Sequence, residues 1–287
     1  MRVLRLILRS EVIHSLVAGE AFKPSRSKDL ARRVGLLVGV VLCLVGVVRL
    51  HAVDYVWNPS GGGGNGWQWS DWRNWSPFDT FYPDQNSDTA TLDWTEAGSV
   101  TVDVATTIGA LTINNAGTDV TLAANLTIDN GGGYSGNLAL TDNSLVVAGY
   151  TLIVDGSITI GAGATLDASG GGNITLRGGW TNNGTFTRGA STVTFDSGGI
   201  QALVSGGTGA AKRFWNLNTA TANTRVQAGT NAVEAQNLTI AASTIFELNG
   251  VNLDLNPGTI SNDGTFRLQG NETVTIGGGL DTNSGLV

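Results

Sequence analysis

The sequence predicts an all-β fold, and within that class a parallel β-helix (β-solenoid) with an aromatic N-terminal cap. Three observations support this prediction. Short segments alternate apolar and polar residues, Gly, Asn and Asp end those segments, and a repetition occurs at an offset of 80 residues. Tandem β-sandwich repeats of that length are the alternative. A coil is favoured because its strands pair with the turns above and below, which leaves open edges only at the two ends.

Residues 1–52 differ from the rest of the chain and are predicted to be a signal segment. They hold nine Lys and Arg against three Asp and Glu, and an uninterrupted apolar run occupies residues 34–48. A long basic n-region followed by an apolar h-region is typical of a secretory signal, with Ala52 as the residue before cleavage. An uncleaved anchor and a buried core helix are the alternatives, although fifteen residues are short for a membrane span. We therefore expect a secreted or surface-displayed protein that meets a membrane only through this segment.

The composition of residues 53–287 excludes several functions. Seven Lys and Arg stand against twenty Asp and Glu, and the segment has neither His nor Cys. Without those side chains it cannot form a Ser-His-Asp or Cys-His catalytic site, or the usual zinc, haem and iron–sulfur centres. A nucleic-acid partner is not expected, because phosphate contacts need a basic surface. No cofactor is expected either, apart from weakly held Ca²⁺ on Asp, Asn and carbonyl oxygens.

Residues 53–98 are rich in aromatic side chains and are predicted to cap the N-terminal end of the coil. The stretch 55–94 contains ten of the chain's twenty aromatic residues, together with the glycine-rich run 61–66. Bulky rings over the first turn would block its open edge. A sugar-binding module is the alternative, because one face of an indole ring can stack on a sugar. The candidate glycan-stacking residues are Trp67, Trp69, Trp72 and Trp75.

Residues 99–287 are predicted to form the β-solenoid itself. In the segment 99–104, Val100, Val102 and Val104 lie on one side and polar residues on the other, which is the period of a half-buried strand. The same pattern recurs in seven later segments, at 125–128, 157–160, 173–176, 192–195, 237–240, 252–255 and 273–276.

The internal repetition favours winding over hairpins. Residues 148–170 align without a gap on residues 228–250, and residues 182–186 align on residues 262–266, both at an offset of 80. A coil with three strands in each turn needs roughly 20–25 residues a turn, so this offset would make about three or four turns. At ~4.8 Å a turn, the solenoid would be a rod on the order of 40 Å long. The chain stops inside the second copy, which predicts a fragment of a longer protein.

The aromatic segment and the strand phrases also resemble known proteins. The stretches 56–75 (VWNPSGGGGNGWQWSDWRNW), 83–92 (PDQNSDTATL) and 180–186 (WTNNGTF) are similar to parts of large bacterial surface proteins. Those proteins carry autotransporter-associated β-strand repeats and related filamentous, adhesin-like repeats. The resemblance covers roughly residues 54–287. It implies an exported β-helical stalk or passenger at the bacterial surface or outer membrane, with a role in adhesion or in the cell envelope, and it supplies no catalytic residues.

The acidic residues do not predict an enzyme. Glycosidases need two carboxylates about 5–9.5 Å apart. The nearest local pairs are Asp84 with Asp88 and Asp93 with Glu96, and solvated turns explain such residues more simply. We therefore expect a non-catalytic structural or adhesive protein that contacts a surface polysaccharide or the surface of a host or neighbouring cell. A carbohydrate-active β-helix, either a polysaccharide lyase or a glycosidase, is the alternative.

Overall fold

The computed structural model describes residues 52–59, 67–77, 80–94, 98–114, 117–131, 133 and 135–278. The predictions for the apolar run 34–48, the glycine-rich run, Glu96 and residues 279–287 lie outside these residues. Within the described ranges, no helix is both long enough and apolar enough to cross a membrane.

Short strands make up nearly all of the regular structure. Among the named elements of the described ranges, one is helical, a single turn of 3-10 helix at Trp72–Asn74. In chain order the strands are β1 Asp54–Trp57, β2 Trp75–Ser76, β3 Thr89–Leu92, β4 Gly98–Val102, β5 Thr106–Ile108, β6 Ala110–Ile113, β7 Thr118–Leu122, β8 Leu126–Ile128, β9 Leu138–Val146, β10 Thr151–Val154, β11 Ile158–Asp167, β12 Asn173–Leu176, β13 Trp180–Asn182, β14 Thr185–Thr187, β15 Thr192–Phe195, β16 Ile200–Val204, β17 Phe214–Thr219, β18 Arg225–Ala228, β19 Val233–Ile240, β20 Ile245–Glu247, β21 Leu253–Leu255, β22 Thr259–Asn262, β23 Thr265–Arg267 and β24 Val274–Ile276.

These strands stack as a parallel β-solenoid of about nine turns, which confirms the predicted fold class. Among the strands named above, every pairing is parallel except that of β1 with β2. A β-sandwich would be built from antiparallel pairs, so the tandem-sandwich alternative is wrong. One inward-facing column shows the register across seven successive turns: Leu126, Leu152, Ile174, Val193, Leu217, Leu238 and Ile260.

The core of the coil is this kind of apolar column, and the alternation in the sequence produces it. Every residue of the column is at most 2% exposed. Burying a Val, Leu or Ile side chain stabilises the fold by about 1.5–3 kcal/mol, so the columns supply most of the drive for winding. The neighbouring residues Thr127, Ile153, Thr175 and Thr194 are also paired turn to turn, but their side chains lie on the outer surface of the same strands.

The length of a turn varies along the coil. The shift between paired residues is 26 from Leu126 to Leu152 but only 19 from Ile174 to Val193. A fixed offset of 80 residues therefore does not correspond to a whole number of turns. Ile158 belongs to the 14-stranded sheet, whereas its sequence counterpart Leu238 belongs to the 10-stranded sheet.

What repeats at this offset is a corner of the coil. Asn182 and Asn262 each end a strand and are buried, at 0% and 1% exposure. An Asn-Gly or Asp-Gly pair then turns the chain into the next strand, which carries a buried Phe. The sequence repetition thus marks a local strand–corner–strand unit that the coil uses at two different corners.

Candidate binding surface at the aromatic end

The aromatic segment covers the edges of the first complete turn. β1 pairs in parallel with β3 and in antiparallel with β2. Beside them, the Thr101 N–H donates to Trp67 O at 2.7 Å, and the Trp69 N–H donates to Thr101 O at 2.8 Å. Within the described residues, these bonds satisfy backbone groups of β3 and β4 on the side that faces away from the next turn.

A carboxylate at the end of β4 joins the segment to the coil. β4 ends at Val102, so the predicted strand does not extend to Val104. The chain turns away because the Asp103 carboxylate accepts hydrogen bonds from the Ser70 N–H, at 3.0 Å, and from Ser70 Oγ, at 2.5 Å. This contact fixes the loop on which the candidate tryptophans lie.

Two of the four candidate glycan-stacking residues, Trp69 and Trp75, are fully buried. Their ring centroids are 4.6 Å apart and their planes are inclined at 69°. The Trp69 indole N–H donates to Pro83 O at 2.9 Å, and the Trp75 indole N–H donates to Trp69 O at 2.8 Å. Neither ring has a face open to a sugar, so the stacking prediction does not hold for these two core residues.

Trp67 is half-buried and is held against the coil. Its ring packs so closely on Gly98 that a Cβ atom there would lie 2.4 Å from Trp67 Cη2. On its other side the ring centroid lies 6.1 Å from that of Trp57. Trp67 therefore contributes to packing and keeps only part of its surface for a ligand.

Trp72 is the candidate whose position suits ligand contact best. It opens the 3-10 turn, and the Asp71 carboxylate before it accepts the Arg73 N–H at 3.1 Å. The Arg73 guanidinium forms a two-pronged ion pair with the same carboxylate, with Nε–Oδ1 and Nη2–Oδ2 both at 2.8 Å. The hydrogen bonds to Asp71 raise the pKa of Arg73, so this cation stays charged. Trp72 is half-buried, which leaves part of its ring at the surface.

These residues line a shallow open depression of about 350 Å³, formed by Gln68, Ser70, Asp71, Trp72 and Arg73. An indole ring beside amide, hydroxyl and guanidinium groups matches a sugar, which has apolar ring faces and a rim of hydroxyls. Asp71 is the one carboxylate in this lining, and Arg73 already neutralises it. The depression has the chemistry of a binding site and lacks the second acid of a glycosidase.

Of the acid pairs singled out in the sequence, Asp84 and Asp88 are joined through the backbone rather than across an open cleft. Asp88 is fully buried, and its carboxylate accepts the backbone N–H of Asp84 at 3.3 Å. The prediction for Asp93 with Glu96 lies outside the described residues, because Glu96 is not among them. Within the described part of the chain, no group of three or more His, Cys, Asp or Glu side chains is arranged to hold a metal ion.

The structure brings together one acidic pair that sequence reasoning treated as separate turn residues. Asp129 and Asp155 directly follow strands of successive turns, and their carboxyl groups interact. Burial, together with Asp129, raises the pKa of Asp155, while Arg177, 2.6 Å away, opposes the rise. Asp129 follows Ile128 and Asp155 follows Val154, and Ile128 and Val154 are paired in adjacent strands. The equivalent position of the two Asp residues after matching strands is the sequence feature that could have predicted the pair.

Comparisons with protein-family models, curated proteins and solved structures give no match for this chain. The β-solenoid is observed directly, whereas the relation to autotransporter-associated repeats stays a prediction.

Proposed function

We propose that the protein is a secreted or cell-surface β-solenoid with a structural and adhesive role, and that the depression at Trp72 is its carbohydrate contact. The proposal rests on the combination of a half-exposed indole with the Asp71–Arg73 ion pair, on a loop that is hydrogen-bonded to the coil. Aromatic stacking on Trp72 gives affinity for the ring of a sugar, and the Asp71–Arg73 ion pair orients the hydroxyl groups of that sugar. The coil acts as a rigid support, because its backbone is paired from turn to turn.

Binding of neutral polysaccharides tests this site. We expect the protein to be retained in native gels containing cellulose, xylan or mixed-linkage glucan, and Trp72→Ala to reduce retention by at least about tenfold in apparent affinity. Tyr150→Ala is the matched control, because Tyr150 is an exposed aromatic residue, 39% accessible, on a corner of the coil. Equal retention of Trp72→Ala and the parent protein, with both folded by circular dichroism, would rule out this contact.

Export is the second part of the proposal and rests on residues 1–52. The basic and apolar composition of this segment supports delivery outside the cytoplasm. N-terminal sequencing of the protein from a bacterial host should find Val53 as the first residue in the exported fraction. Full-length protein confined to the cytoplasm would contradict it.

A polysaccharide-degrading β-helix is the second candidate function, favoured by the raised pKa of Asp155 beside Asp129. A general acid needs a carboxyl whose pKa is raised, with a second carboxylate beside it, and Asp155 and Asp129 share these two features. Release of new reducing ends from a polysaccharide by the purified protein, lost in Asp155→Asn, would establish this function over the adhesive one.

A further inference from the structure

The basic residues of the coil fall into two groups. Residues 53–287 contain seven Lys and Arg in all, and each of them is described. Four are paired with carboxylates, as Arg73–Asp71, Arg177–Asp155, Arg225–Glu247 and Arg267–Glu247. The other three, Arg188, Lys212 and Arg213, have no ion pair within the described residues, although acids outnumber bases almost three to one in this part of the chain. All three lie around one corner.

The loop 205–213 builds this corner in place of a regular strand. The Phe186 N–H, in β14, donates to Ala211 O at 2.8 Å, so the loop takes the position of the next turn. Lys212 Nζ donates to Asn182 O at 3.0 Å and to Gly184 O at 2.6 Å. These acceptors use the donors of Lys212, so this lysine holds the loop and adds positive potential without being available as a ligand-binding group.

Arg188 and Arg213 are left with unused donors. The Arg188 guanidinium lies over the Trp215 ring, 4.9 Å from its centroid, and makes no hydrogen bond to any described residue. Its Nη1 is buried, and so is Arg213 Nε, and neither has an acceptor. Arg213 Nη2, by contrast, donates to Asn256 O at 2.7 Å, which fixes that side chain. Buried N–H groups without acceptors are rare because each loses its hydration without compensation.

The two guanidinium groups are also close enough to repel each other. Burial lowers the pKa of Arg188, and the positive charge of Arg213 lowers it further, whereas Glu234 acts in the opposite direction. Glu234 does not form an ion pair with Arg188, and one of its oxygens accepts the Gly209 N–H at 2.5 Å. Both side chains are only partly buried, so one oxyanion bound between their exposed N–H groups would relieve this repulsion.

We propose that Arg188 and Arg213, beside Trp215, bind a single carboxylate or sulfate group of an acidic polysaccharide. The charge of the chain selects this occupant. With thirteen more acids than bases in residues 53–287, the solenoid repels densely charged polyanions, including nucleic acids. A glycan with widely spaced acidic groups meets this repulsion least. Next to Trp215, the uncharged ladder of Thr192, Asn216 and Asn237 offers hydroxyl and amide groups to the adjoining neutral sugars.

This site shares no residue with the depression at Trp72, so either binding proposal can be contradicted while the other still holds. The test uses the full chain carrying Trp72→Ala, which removes the neutral-sugar contact proposed above, and measures its affinity for three oligosaccharides by isothermal titration calorimetry: trigalacturonate, a sulfated galactan fragment and neutral galactotriose. We expect the acidic oligosaccharides to bind and the neutral one to bind at least about tenfold more weakly. Affinity should also fall as salt is raised. Acidification to about pH 3 separates the two sources of the oxyanion, because it protonates the carboxylate of a uronate and leaves a sulfate charged.

The variants Arg188→Gln and Arg213→Gln should each weaken binding of the acidic oligosaccharide at least about tenfold. Arg267→Gln is the matched control, because Arg267 is a surface arginine of the same coil, and it should change affinity less than about twofold. Arg213→Gln loses carbonyl contacts and could unfold its corner, so Arg188→Gln, which breaks no hydrogen bond, carries the test. Unchanged affinity in a folded Arg188→Gln, or equal binding of galactotriose or of a single-stranded oligonucleotide, would overturn the proposal.

Discussion

Two aromatic clusters in this protein are equally buried but differently supported. At the N-terminal end, Trp75 meets Trp69 and Trp57 at centroid distances of 4.6 and 4.9 Å. In the middle of the coil, Trp180 meets Phe186 and Phe214 at 5.0 and 5.2 Å. The indole N–H groups of two end residues, Trp69 and Trp75, donate to backbone carbonyls, whereas that of Trp180, like that of Trp57 at the end, is buried without an acceptor.

The difference follows from the position of each cluster. Inside the coil, the turns above and below satisfy the backbone, so a core side chain needs only to fill its volume. At the end, the described residues supply a neighbouring turn on one side only and the chain is irregular, so side chains satisfy some of the backbone groups. The end cluster is therefore specified by hydrogen-bonding groups as well as by size, and the inner cluster by size alone.

Truncation of a central ring should have the largest effect in both clusters. Trp180→Ala and Trp75→Ala each remove a fully buried indole and should lower the free energy of unfolding by about 3–5 kcal/mol, measured by urea denaturation. The distribution of the loss should differ, because the end can open while the coil stays folded. Hydrogen exchange should show Trp75→Ala exposing amides mainly in residues 54–102, and Trp180→Ala exposing amides on both sides of residue 180. Identical exchange maps would abolish the distinction between the regions.

Substitutions in the loop 205–213 test how closely an irregular part of the inner coil is packed against the neighbouring turn. A Cβ atom on Gly206, whose φ is +78°, would lie 1.7 Å from Asn182 O, so Gly206→Ala must displace the loop and the Lys212 contacts. We expect a loss of about 2–4 kcal/mol in the free energy of unfolding. Gly207→Ala is the control, because Gly207 also has a positive φ, +120°, but has nothing within 4 Å of the added atom. Its cost should be about 1–2 kcal/mol from backbone strain alone, and equal costs would show that the close approach to Asn182 does not matter.

Replacing Trp with Phe in each cluster tests the contribution of the indole hydrogen bonds, because the aromatic ring is kept. Trp75→Phe leaves Trp69 O without its indole donor, whereas Trp180→Phe removes an N–H that had no acceptor. Since an unsatisfied buried carbonyl costs about 1–3 kcal/mol, Trp75→Phe should destabilise the protein by that much more than Trp180→Phe in urea titrations. A larger loss for Trp180→Phe would reverse the assignment of what specifies each cluster.

The same distinction explains how far the sequence could predict this molecule. Alternation and turn residues predict the coil, because every inner turn obeys one rule, and the column from Leu126 to Ile260 follows it. The four candidate tryptophans of the aromatic segment have no regular spacing, and the 3-10 turn at Trp72–Asn74 decides which of them is exposed. The neighbourhood of Arg188 and Arg213 depends on the loop 205–213 and on turns of unequal length, with paired residues 19 apart at one pairing and 26 apart at another. No fixed period in the sequence locates it.

The smallest effect is expected from a change of pH, which separates stabilisation by a charged hydrogen-bonding group from stabilisation by a neutral packed ring. The Glu272 carboxylate accepts the backbone N–H groups of Gly250, Gln269, Gly270 and Asn271. Partial burial would raise the pKa of Glu272, but backbone N–H groups, of Gln269, Gly250, Glu272 itself and Gly270, outweigh it and lower the pKa from 4.5 to about 2. Because the folded-state pKa lies below the unfolded one, the carboxylate stabilises the fold above about pH 4.5, and this contribution is lost as the pH falls towards 2.

The loss of stability in Glu272→Gln should thus be clear at about pH 6 and smaller at about pH 3. The loss in Trp69→Ala, which removes only a neutral ring, should be the same at both values. A Glu272→Gln deficit that does not shrink on acidification would show that its bonds to the backbone do not depend on charge.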